Sequence, residues 1–207
     1  MSNYVILVDK NDDVVGTEEK YLCHLPSGKL HRAFTTCIFN NKNELLLTKR
    51  SNTKMLWSNC WDGTIASHPK NSENYTIAAE RRMQEELGVT CKLEYLFKFE
   101  YHIQYENIGS ENEMCGVLIG KLEKQTNYNK NEISKIMWAD INRLNHELKT
   151  NIKAYCPWMI VALYLLFFSR INYGNIADKW NKLEFKRTLE ESINYYFPNK
   201  NNWRFVE

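Results

Sequence analysis

Three histidines and two glutamates, His24, His31, His68, Glu111 and Glu113, are the residues of this chain whose types and spacing point most directly to chemistry. Glu111 and Glu113 stand two apart in Glu-Asn-Glu, and side chains alternate faces along a strand, so the two carboxylates project together and repel. A shared cation relieves that repulsion. Neutral imidazoles combined with carboxylates suit a divalent transition ion, and five N/O donors leave one octahedral position open. Zinc, manganese and magnesium all fit this description. Taken singly, a histidine of this kind is usually solvated and a Glu-x-Glu pair usually marks an exposed strand edge. Only the combination argues for a metal.

The second cluster of chemistry lies in Ala79-Glu80-Arg81-Arg82-Met83-Gln84-Glu85-Glu86-Leu87-Gly88-Val89. It resembles the helical half of the Nudix box, Arg-Glu-x-x-Glu-Glu-x-Gly, whose glutamates bind magnesium on a diphosphate. Glu85, Glu86 and Gly88 match. Arg82 stands where the family has its first glutamate, and the Gly-x5-Glu element is not intact around His68-Pro69, so ordinary Nudix hydrolysis is disfavoured. The plainer reading is a helix with a charged solvent face, on which an Arg82–Glu86 pair contributes only ~0.3–0.5 kcal/mol.

His24-x6-His31, Ser67-His68-Pro69, Glu111-Asn112-Glu113 and Cys156-Pro157-Trp158 occur in one order along the chain. Together they resemble type I isopentenyl-diphosphate isomerase, a Nudix-fold enzyme, over residues 1 to 170. The resemblance implies that His24, His31, His68, Glu111 and Glu113 bind a first metal and that Glu86 helps hold magnesium on the substrate diphosphate. It puts Lys20, Arg50, Lys54 and Arg82 at the cationic diphosphate contacts, and Tyr101 and Trp158 around the alkene. Ser67, beside the histidine, is a further candidate for substrate contact, although its neighbour on a strand should face the other way.

Such a reaction protonates an isolated double bond, and the tertiary carbocation it creates would be captured by water in an open site. The cavity must be dry. The face of Trp158 could stabilise that cation by ~2 kcal/mol or more when desolvated, while its plainer role is core packing. Glu113 is the candidate acid or base. The family carries a cysteine two residues before the His-Pro pair, and this chain has Ala66 there, a methyl group that exchanges no proton. Cys60 and Cys115 are the thiols near enough in sequence to approach the pocket, and Trp61-Asp62-Gly63-Thr64 departs from the family's Thr-Asn-[Ser/Thr] run. Isomerisation of isopentenyl to dimethylallyl diphosphate is therefore expected. A protonation-initiated cyclase on a longer prenyl diphosphate, or an impaired prenyl-diphosphate-binding homologue, stands as the alternative.

The elements that must position these groups read as an α/β mixture, a Nudix-like mixed sheet between helices. Strands are expected over Tyr4 to Asp9, from there to near Gly16, and over Ala33 to Phe39, Glu44 to Lys49, Lys92 to Tyr105, Met114 to Lys121 and Ile136 to Ala139. Helices are expected from an N-cap at Ser72 to Leu87 with Gly88 closing it, over Ile141 to Lys149, over Pro157 to Arg170, and over Leu183 to Tyr196. Residues 1–170 form the isomerase-like domain and 171–207 a helical extension that could cap the pocket. The net charge of +2 gives no global field for nucleic acid or an acidic membrane. Six cysteines without CxxC pairs, no signal-peptide pattern in Met1 to Lys10, and a longest apolar run (Pro157 to Phe168) short of the roughly 20 residues a membrane span needs together predict a cytoplasmic monomer or homodimer.

Overall fold

A computed structural model describes residues 4–124, 126–168 and 175–206. The chain opens with a hairpin of β1 (Tyr4–Val8) and β2 (Val14–Glu19), longer than expected because pairing continues past Gly16 to the partners of Tyr4. Asp12 turns it at φ 70°, a left-handed conformation that a short polar side chain tolerates. A one-turn helix, α1 (Lys20–Cys23), follows directly. Next come β3 (His31–Phe39), β4 (Leu45–Arg50), β5 (Trp61–Asp62) and β6 (Ile65–Ser67).

The expected helix is α2 (Tyr75–Leu87), but its N-cap is Asn74 rather than Ser72. Asn74 accepts from the Ile77 N–H at 2.9 Å, the geometry that satisfies a first-turn donor. At the other end Gly88 adopts φ 68° and its N–H reaches the Gln84 carbonyl. The helix ends where the sequence says it must.

Two long strands follow, β7 (Leu93–Tyr105) and β8 (Gly109–Lys121), then β9 (Ile133–Ala139) and α3 (Ile141–Asn151). Buried at almost every position, α4 (Pro157–Phe168) is the all-apolar helix that the sequence implied. Its expected extension to Arg170 lies outside the described residues. Beyond it are α5 (Asn175–Trp180), α6 (Leu183–Tyr196), which has the expected bounds, and a strand that was not expected, β10 (Trp203–Val206).

Among the described residues the main sheet runs β10-β7-β8-β3-β1-β2, with β4 and β6 also pairing β3 and with β5 and β9 on β4. One parallel pair, β3 with β8, stands among antiparallel neighbours, so the sheet is mixed as expected. One face is covered by α2, through a core of Phe34, Ile38, Ala79, Met83, Leu87 and Leu118. The larger core lies on the other face, where α4 packs with α5 and α6. The C-terminal extension carries a strand as well as helices: β10 extends the sheet by pairing Trp203 with Tyr101, and Phe197 meets the Tyr101 ring edge-on at 6.4 Å.

The Asn74→Ala variant is expected to lose about 1 kcal/mol of unfolding free energy. The check is urea denaturation, which should show an earlier midpoint at an unchanged slope.

Candidate metal centre and active site

The parallel β3–β8 pair sets His31 beside Glu113, while His24 ends α1 and His68 directly follows β6. Residues from four segments, spread from His24 to Glu113, thus meet at one point. One donor atom each from His24, His31, His68 and Glu113 lies within 4.8 Å of the other three. Glu111, on the same face of β8 as Glu113, sits just outside that group, with its Oε2 3.1 Å from His24 Nε2.

Hydrogen bonding fixes which nitrogen faces inward. The Nδ1 atoms of His24 and His31 lie 2.6 and 2.8 Å from the carbonyls of Lys20 and Lys29, which can only accept. Each Nδ1 therefore carries a proton, and each Nε2 is the nitrogen left to turn a lone pair toward an ion at the cluster. His31 Nε2 lies 3.1 Å from His68 Nε2 and 3.5 Å from Glu113 Oε1. Buried lone pairs facing one another and a carboxylate are unfavourable unless a cation lies between them. The Glu111 Oε2 atom is buried without a hydrogen bond, a second sign that the cluster is built for an ion. The donors fit a divalent metal.

Glu113 divides its two oxygens between tasks. Oε1 faces His31 and His68, and Oε2 accepts the Tyr101 hydroxyl at 2.5 Å. Burial raises a carboxyl's proton affinity, but positive charge at His31 and the Tyr101 hydroxyl outweigh it and hold Glu113 below the ordinary glutamate value, an effect an ion at the cluster would share. Burial and the nearby Glu113 charge push the Tyr101 phenol far up, so it stays protonated and donates.

These residues open onto a cavity of roughly 270 Å³. Tyr101, Trp158, Phe34, Leu56 and Ala66 form its apolar wall, and Lys20, Arg50 and Lys54 a cationic one. Lys20 is held below the usual lysine range, first by desolvation and then by the charges of Lys54, Arg50 and Arg82. Such crowding of like charges suits an anion. Ser67 lines the cavity beside Ala66 instead of turning away, because the three-residue β6 ends there and the cavity wraps around its end.

Arg82 and Glu86 are set behind this wall rather than on it. Arg82 reaches Glu86 and Glu85 along α2 and also Glu132, 3.2 Å away, which in turn binds Lys54. The sequence reading missed Glu132, whose position before β9 carries no motif. Burial would raise its pKa, yet Lys54 and Arg82 bring it down to about 2. Asp62 was also missed as a partner of Trp158. Cys60 and Cys115 do not replace the thiol: their sulfurs lie against the Lys153 and Gly116 carbonyls, and neither lines the cavity.

A stretch of ten residues between β4 and β5 roofs the cavity. Trp57 and Asn59 hold left-handed φ angles of 47° and 60°, a costly choice for an indole residue. Arg50 over-determines the loop by donating to the Trp57 and Leu56 carbonyls, both at 3.0 Å, and Trp57 packs edge-on against Trp158 at 5.3 Å.

Residues 29–159 match the NUDIX domain family. The chain is 35% identical to isopentenyl-diphosphate Delta-isomerase 1 of Photorhabdus laumondii over 74% of its own length and 89% of the relative's. It is 37% identical to the isopentenyl-diphosphate Delta-isomerase of Haloarcula marismortui over 77% and 88%. With the second isomerase of Photorhabdus laumondii, the 32% identity extends over 88% and 99%. Among solved structures, a crystal structure from Deinococcus radiodurans superposes with a TM-score of 0.63 at 20% identity, covering 77% of this chain and 96% of that one, a likeness of fold.

His31→Ala should weaken divalent-metal binding by more than the roughly 10–100-fold that loss of a supporting partner costs, as measured by elemental analysis after dialysis against a graded chelator. The Glu132 cluster makes a separate prediction. Because its folded pKa of about 2 lies below the ordinary 4.5, its contribution to stability is present above that value and fades as pH falls toward 2. The stability gap between the parent and Glu132→Gln should therefore be smaller at pH ~3 than at pH ~6, measured by chemical denaturation at both.

Proposed function

The chain belongs to the Nudix superfamily and, within it, to the type I isopentenyl-diphosphate isomerases, and from that premise we propose that it converts isopentenyl to dimethylallyl diphosphate in the cavity beneath Trp57. The observation that carries the reading is the contact between Glu113 and Tyr101 at the boundary between the metal cluster and the apolar wall.

The diphosphate is the handle. Lys20 and Lys54 meet it from the cavity wall, with Arg50 alongside, and Arg82 and Glu132 hold the Lys54 ammonium in place behind it. Glu86, paired with Arg82 behind the wall, would reach a magnesium ion carried in on the substrate only by giving up that pair. Clamping the charged end fixes the position of the double bond, so binding is converted into orientation. With His24, His31, His68, Glu111 and Glu113 as its ligands, a divalent ion supplies a fixed positive charge that sets the proton affinity of Glu113. Three imidazole nitrogens favour zinc or manganese over magnesium there.

Glu113, ionised in the resting site, must first take up a proton; in that form it gives the proton to the terminal methylene carbon, and the positive charge develops on the tertiary carbon. Trp158, with its ring against the cavity, lowers the energy of that charge. Loss of a proton from the methylene next to the oxygen-bearing carbon then completes the new double bond. The family resemblance implies a cysteine where this chain has Ala66, which would give the two proton transfers separate partners. Here Ala66 has no proton to exchange, so Glu113 carries out both, with the Tyr101 hydroxyl turning from one carboxylate oxygen to the other.

Two measurements test this. In heavy water the metal-loaded protein should place deuterium in dimethylallyl diphosphate; a deuterated cyclic product from geranyl or farnesyl diphosphate would favour a cyclase, and phosphate release without the prenyl change a hydrolase. Glu113→Gln should lower kcat by about 10²–10⁴-fold, whereas Ala66→Cys should raise it. Stereochemical analysis of the labelled product should find both proton transfers on one face of the alkene. Transfers on opposite faces would overturn the single-carboxylate step.

A further inference from the structure

The run Trp61-Asp62-Gly63-Thr64 has no part in the proposed chemistry so far, yet it places a carboxylate against the cation-stabilising ring. Asp62 is 2% exposed. Its Oδ1 accepts the Trp158 indole N–H at 2.8 Å and the Gly63 N–H at 2.7 Å, and its Oδ2 lies 3.4 Å from Arg50 Nη1. Every one of these partners donates, so the group that fits is the ionised one. Arg50 itself lies over the same indole, its Cζ 5.3 Å from the ring centroid.

This arrangement poses an electrostatic problem and contains its solution. A guanidinium over the Trp158 ring occupies the electron-rich face and repels any second cation forming nearby, and in a desolvated cavity that repulsion is weakly screened. A carboxylate on the indole N–H does the reverse: it neutralises Arg50 and pushes electron density from the N–H bond into the ring. A Thr or Ser at this position could accept the hydrogen bond but would leave the guanidinium charge uncompensated.

We propose that Asp62 is a positioning residue that tunes Trp158 for the carbocation, by fixing the indole, offsetting Arg50 and enriching the ring's π density. The proposal rests on the alkene-protonation reading above. It differs from a plain structural ion pair in one respect: it acts on a cationic ligand and spares a neutral one of the same shape.

The test compares isopentyl diphosphate, neutral at its alkyl end, with dimethylaminoethyl diphosphate, whose ammonium sits where the tertiary cation forms. Calorimetric titration into metal-loaded protein should show Asp62→Asn weakening the ammonium compound about 10-fold while isopentyl diphosphate stays within about twofold. In the protein that keeps Trp158, Asp62→Asn should move the Trp158 indole proton upfield in the NMR spectrum, and in a separate Trp158→Phe background Asp62→Asn should lose most of that selectivity. If the Asn variant does not fold, Asp62→Thr, which keeps a hydrogen-bond acceptor and removes the charge, is read by the same ratio. Equal weakening of both ligands, or an unchanged ammonium affinity, overturns the proposal. Heavy-water turnover of the parent judges the isomerase reading separately: ammonium-selective loss without deuterium in dimethylallyl diphosphate would support Asp62 and reject isomerisation.

Discussion

The structure depends on imidazole lone pairs and carboxylate oxygens buried around one point. Each of these groups is costly to remove from water, and their polarity makes them repel unless positive charge lies among them. Once such a charge is bound the cost reverses sign, and α1, β3, the residue after β6, and β8 are drawn to a common centre. The parallel pairing of β3 with β8 sets the register, and the carbonyls of Lys20 and Lys29 set the tautomers. A divalent ion held there would stabilise the local fold that gathers its ligands.

Around that centre the fold separates two incompatible environments. Cationic side chains and the α2 carboxylates form a polar network that handles charge, while α4 and the far core surround the apolar wall. Glu113 belongs to both, with one oxygen toward the histidines and the other held by Tyr101. Tyr101 is fixed from behind by Phe197 and by pairing with Trp203. The tail beyond α4 buttresses Tyr101 through these two contacts, and among the described residues none of it lines the cavity.

Much of this was legible in the sequence because its signals are local. Glu-Asn-Glu announces two side chains on one face, and Gly88 announces a helix end. The all-apolar run from Pro157 announces a buried helix. The α2 N-cap was misread because Ser72 and Asn74 are both good caps, and only the chain's approach decides between them. The short strands β5, β6 and β10 have too few residues for any alternation to show. Glu132 and Asp62 were missed for a different reason. Their importance lies in pairings across 78 and 96 residues, with Lys54 and Trp158, which no spacing rule reveals.

All six cysteines are free thiols, five of them buried, and none of them lines the cavity. With a methyl group at position 66, the reaction chamber holds no thiol, and the sulfur that lines it is the Met55 thioether. Electrophiles small enough to enter meet imidazole, carboxylate, aromatic and thioether groups, which they attack far less readily than a thiolate. A chamber of this composition lacks the group that alkylating poisons of thiol-dependent catalysts seek, while Met55 leaves it one site that peroxide can convert to the sulfoxide.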